Sequence, residues 1–121
     1  MVRNVMTDDL FQARINQAVL DFTLGEEDKA ELALLEILQE ATDNSDAFRA
    51  LAEVRLAKGD LDGAESACRS ALRINEGDLT STVSLARILV AKGDKDGAEK
   101  ASADARILGW KDDLAQHEES A

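Results

Sequence analysis

The sequence predicts an all-α solenoid built from three copies of a two-helix hairpin. Three observations carry this reading. Residues 57–67 read AKGDLDGAESA and residues 91–101 read AKGDKDGAEKA, identical at nine of eleven positions and 34 residues apart. Proline is absent and aromatics make up only 3%. Ala, Leu, Glu, Lys and Arg, all good helix formers, dominate the 121 residues. A fixed period of this size marks stacked helical units, none of which can bury its apolar face alone.

Sliding the sequence against itself by 34 gives twelve identities in thirty between residues 46–75 and 80–109, and eight between 12–41 and 46–75. The copies span approximately 11–44, 45–78 and 79–112, in a single domain over 1–121 with a C-terminal cap or tail at 111–121. The helices are expected at 8–24, 26–41, 45–58, 61–74, 79–92 and 95–108. Thr7 or Asp8 caps the first. In the second copy Phe48, Leu51, Ala52, Arg55 and Leu56 keep helical spacing; then Lys58-Gly59-Asp60 interrupts. Gly59, like Gly93, supplies a positive φ at the turn, and Asp60 caps the helix that follows. Leu61, Ala64, Ala67, Cys68, Ala71 and Leu72 resume the spacing, and Asn75-Glu76-Gly77-Asp78 makes the next turn. Ala52 and Ala64 stand where the two helices of a hairpin cross, and a leucine there would overpack by roughly 1–3 kcal/mol. Past the last repeat, Leu108, Trp110 and Leu114 are expected to cover the open end, with a short helix over 111–118 and fraying from 115; an aromatic anchor for a partner is the rival reading of Trp110.

The composition also excludes. A net charge of −11, spread along the chain with no acidic block, repels phosphate backbones and anionic lipid, so neither nucleic acid nor membrane is an expected partner. The single cysteine, Cys68, forms no internal disulfide, and the opening MVRNVMTDDLF lacks the apolar core of a signal peptide. A cytoplasmic location is the default. His117, the one histidine, lies in a polar tail, so no nucleophile–base pair is in prospect; no enzyme activity, cofactor or metal is expected. Asp60-Leu61-Asp62-Gly63 and Asp94-Lys95-Asp96-Gly97 contain a fragment of a calcium loop. However, Lys58 or Lys92 would fall at its first position and Arg69 or Ala103 at its twelfth, so helix capping explains them.

Phe48-x2-Leu51-Ala52-x2-Arg55, then Gly59, Ala64-x3-Cys68 and Ala71, resembles the tetratricopeptide repeat, with Cys68 where the family carries a packing aromatic. The resemblance covers about residues 11–110. The family's closing proline is replaced by Thr42, Glu76 and Trp110. The stretch Ala64-Glu65-x2-Cys68-Arg69-x-Ala71-Leu72-x-Ile74-x-Glu76 is similar to the second helix of kinesin light chain repeats. Small bacterial proteins of that type accompany bacterial tubulins, so this narrower resemblance implies a tubulin-like filament as a partner.

By analogy with the family, the first helices line a concave face. It would display Gln12, Ile15, Val19 and Phe22, then Arg49, Glu53 and Leu56, then Thr80, Val83, Arg87 and Val90. The partner-binding candidates are Ile15, Arg49, Glu53, Val83 and Arg87, apolar groups flanked by charged anchors. Val19, Phe22, Leu56 and Val90 have core packing as the rival reading. Some family members grip chaperone C-terminal carboxylates; the matching positions are Ile15, Val19, Ala50, Thr80 and Ser84, and none carries a cation. Arg49 and Arg87 are expected on the surface, so reversing their charge should leave folding nearly unchanged. The chain is thus expected to be a protein-binding adaptor, in its sharper form on a bacterial tubulin-like filament. The alternative is an assembly or secretion chaperone holding an extended peptide.

Overall fold

The computed structural model describes the backbone of residues 5–120 and the side chains of residues 7–117. Six helices follow one another with no strand among the described residues: α1 Val5–Thr23, α2 Glu27–Glu40, α3 Ser45–Ala57, α4 Leu61–Ile74, α5 Leu79–Lys92 and α6 Lys95–Ser120.

Each hairpin closes in the same way. Gly25, Gly59 and Gly93 have φ of 87°, 80° and 79°, the left-handed conformation that glycine adopts without penalty. The residue after each glycine donates its N–H five residues back, as in Asp60 to the Arg55 carbonyl at 2.9 Å and Asp94 to the Leu89 carbonyl at 2.9 Å. This satisfies carbonyls that the helix end leaves open. Asp60 and Asp94 then start the second helix: their Oδ1 atoms accept the N–H of Gly63 and Gly97, both at 3.0 Å. Both acidic Asp-x-Asp-Gly stretches are therefore helix starts. Asn44 and Asp78 cap the first helices of the next two hairpins in the same manner.

The backbones of α1, α3 and α5 approach closely in sequence, whereas those of α2, α4 and α6 stay farther apart. The odd helices therefore form the tighter, inner layer of the stack. Leu34, Ile37, Leu51, Val54, Cys68 and Ile88 fill the space between layers. Ala30, Ala52, Ala64 and Ala98 are buried at the closest approaches, where only a methyl fits.

Two expectations at the termini are corrected. Helix α1 begins at Val5, so Thr7 and Asp8 lie inside it and do not cap it. Helix α6 runs unbroken through Gly109 to Ser120, so residues 111–118 continue it and do not form a separate helix. Lys111 stands where the second copy has Gly77, and the following Ala, Leu, Glu and Gln favour continuation; one interior glycine costs only about 1 kcal/mol. Of the residues expected to cover the end of the stack, Leu108 is half-buried, while Trp110 and Leu114 are 68% and 64% exposed.

Candidate functional site

The five candidate residues fall in two columns on the inner layer. Ile15, Arg49 and Val83 share one repeat position, 34 residues apart; Glu53 and Arg87 share another, which Val19 fills in the first copy. The helical stack thus brings them to one face, but not in one role.

Ile15 is buried at 4% exposure and joins the hydrophobic core. It still lines a groove, as its floor. That groove, about 320 Å³, lies between α1 and α3, with Gln12, Val19, Asp46, Arg49 and Glu53 on its walls. Val83 and Val19 are 43% and 44% exposed and open to the same face. Of the rival core positions, Phe22 and Leu56 do pack against the core, while Val90 is exposed.

The charged candidates are wired between helices. The Arg49 guanidinium pairs with Asp46 on its own helix, and with Asp78 at 3.5 Å across the gap to α5. Asp78 is buried; its Oδ2 accepts from the Ser81 hydroxyl at 2.7 Å. Glu53 reaches across the same gap, accepting from the buried Ser84 hydroxyl at 2.7 Å and from Arg87 at 2.9 Å. Arg49 therefore links two repeats as well as presenting a partly exposed cation. Arg87, with a side chain 53% exposed, is the freer of the two.

Asp46, three residues before Arg49 on its own helix, was within reach of spacing alone. Sequence reasoning missed Asp78 as a partner of Arg49 and Ser84 as a partner of Glu53, since each looks like an ordinary turn or helix residue until α3 and α5 are brought together. It also missed a second set of links on the outer side. Lys58 bridges Asp28 at 2.7 Å and Glu31 at 2.8 Å; Lys92 bridges Asp62 and Glu65, both at 2.7 Å. Hydrogen bonds from these lysines hold the Glu31 and Glu65 carboxyls below the usual carboxylate range, with Arg55 and Arg69 adding to the effect. The signal was present: aspartate, glutamate and lysine each recur at an interval of 34.

Cys68 is buried, and its thiol donates to the Ser81 carbonyl at 2.8 Å. Burial, helped by the charges of Glu53 and Asp78, pushes the thiol up to about 11, so it stays protonated and unreactive. No group of three or more His, Cys, Asp or Glu side chains is placed to hold a metal ion among the described residues. No described helix is long and apolar enough to cross a membrane.

No family model matches the sequence, and no curated protein matches it. Solved structures match it well. The Yersinia enterocolitica type III secretion chaperone SycD, in complex with a peptide of the translocator YopD, aligns with a TM-score of 0.79 at 19% identity, over 97% of this chain and 92% of that one. MamA aligns with a TM-score of 0.82 at 24% identity, over 86% of this chain and 61% of that one. The second tetratricopeptide domain of Spaghetti (RPAP3), bound to the HSP90 peptide SRMEEVD, aligns with a TM-score of 0.77 at 13% identity, over 81% and 91%. The fold is that of the tetratricopeptide solenoids. The phase of the hairpins, with the glycine at each inner turn and alanines at the crossings, agrees with the pattern read from Phe48 to Ala71.

Proposed function

We propose that this chain is a non-enzymatic adaptor that holds a segment of a protein partner against the inner face formed by α1, α3 and α5. The observation that carries the reading is the open groove between α1 and α3, where exposed Val19 continues into the charged row of Arg49, Glu53 and Arg87. Exposed apolar groups supply contact area, and the row supplies orientation through charge-assisted hydrogen bonds. Val83, Arg49, Glu53 and Arg87 are the contact residues, with Ile15 as the floor beneath them.

An extended peptide is the occupant favoured by the likeness to SycD and the RPAP3 domain, both solved with peptides. A C-terminal carboxylate grip is disfavoured, because Ile15, Val19, Ala50, Thr80 and Ser84 bring no cation. A peptide array probed with wild type and with Val83→Asp/Arg87→Glu tests the groove. Loss of signal in the variant is expected; equal signal would move the partner to another face.

The filament form, binding to a bacterial tubulin-like polymer from a cytoplasmic location, rests on the kinesin-light-chain-like wording of residues 64–76 alone. Co-sedimentation with polymerised bacterial tubulin tests it. Pelleting that weakens in Arg87→Glu supports this form, and no pelleting at any salt removes it.

A further inference from the structure

The two lysine bridges describe how each hairpin receives the helix that follows it. Lys92, at the end of α5, binds Asp62 and Glu65 in the first two turns of α4. At the other end of the contact, Cys68 of α4 donates to the Ser81 carbonyl near the start of α5, and Leu72 lies beside Thr82 and Leu85. Helix α5 therefore runs antiparallel to α4, with its basic end at the acidic start of α4. Lys58 repeats the bridge one hairpin earlier, on Asp28 and Glu31.

The third hairpin carries the same acceptors without a donor. Asp96 and Glu99 stand 34 residues after Asp62 and Glu65; both are exposed, and neither has an ion-pair partner among the described residues. Beside them, between α5 and α6, is an open groove of about 510 Å³ walled by Val90, Ala98, Ser102 and Arg106, with Lys95 and Glu99 at the end nearer the hairpin turn. Helix α6 does not turn back over it, because it continues straight to Ser120. The groove's lining differs from the second copy at four positions: Val90 replaces Leu56, Lys95 replaces Leu61, Ser102 replaces Cys68 and Arg106 replaces Leu72.

We propose that this groove docks an amphipathic helix of a protein partner, antiparallel to α6, with a lysine or arginine in its last turn and an acidic residue in its first half. The cation meets Asp96 and Glu99 as Lys92 meets Asp62 and Glu65; the acid meets Arg106. A second copy of this chain fits poorly. Its α1 would bring Leu24 to the place of Lys58 and Lys92, and both molecules carry a charge of −11.

The test uses the full chain and a labelled synthetic peptide of residues 78–94 carrying Thr82→Glu, followed by fluorescence anisotropy. Saturable binding is expected, weakened about fivefold by Lys92→Glu in the peptide. Binding of that reversed peptide should recover on a chain carrying Asp96→Lys and Glu99→Lys, which leaves Asp62 and Glu65 untouched and so separates this groove from the α5 seat. Glu99→Lys alone serves if the double variant loses its helical circular dichroism. Absence of saturable binding, or an affinity indifferent to these charges, would overturn the proposal. A dimer in sedimentation that Glu99→Lys dissociates would overturn the occupant in favour of a second copy.

Discussion

Glu53 and Arg87 occupy the same position in consecutive repeats, 34 residues apart, and are bonded to each other at 2.9 Å across the gap between α3 and α5. One repeat position thus carries opposite charges in neighbouring copies, and their pairing adds a polar stitch to the apolar stack. A second link across the same gap joins different repeat positions, Arg49 and Asp78, and there one partner is buried. This difference separates the two arginines that a surface reading treats alike.

Arg87→Glu should therefore change stability by less than about 1 kcal/mol, as exposed pairs do. Arg49→Glu would set a second carboxylate beside buried Asp78 and should cost about 1–3 kcal/mol. Urea unfolding of the two single variants checks this. Equal midpoints would show that the Arg49–Asp78 contact carries no stability.

The lysine bridges predict an acid sensitivity. The Glu31 and Glu65 carboxyls are held below their ordinary value of 4.5 in the folded chain. Their contribution is then fully present above the unfolded value and is lost as pH falls through the lower, folded one. Stability should decline on acidification below about pH 4.5, and Glu65→Gln should make that decline shallower while changing little at neutral pH. Urea midpoints between about pH 3 and pH 7 provide the measurement. An identical slope in the variant would mean the bridge does not persist in solution.

Ala64 is fully buried and Ala98 nearly so, at the crossings within the second and third hairpins; Ala50 is only partly buried at the inner face. Ala64→Leu and Ala98→Leu should each destabilise by roughly 1–3 kcal/mol, and Ala50→Leu by less. Thermal melts of the three variants rank them. Similar melting temperatures would contradict the hairpin packing.

Cys68 should resist alkylation. With the thiol buried and its protonation favoured up to about pH 11, iodoacetamide at pH 8 should label the native chain far more slowly than the urea-unfolded chain. Equal rates would place Cys68 at a surface.

What was legible in the sequence is what repeats. The six helices, the glycine turns at 59 and 93, the Asp60 cap and the small residues at crossings each depend on local spacing and recur at a fixed interval, so one copy corroborates another. The last turn was misread because Trp110-Lys111 has no counterpart in the other copies, and a helix end is decided by weak local preferences.

The sequence by itself therefore determined the period, the hairpin and the faces of its helices, because these follow from residues within a few positions of one another. The tertiary structure alone decided which inner-face residues are available. Ile15 shares its column with Arg49 and Val83, yet it is buried at the floor of the groove while they reach its surface. Arg49 is tied down and Arg87 is freer because of Asp78 and Glu53, which approach only when α3 and α5 stack. Burial and ion pairing are properties of that approach between distant segments, and spacing along a single helix does not encode them.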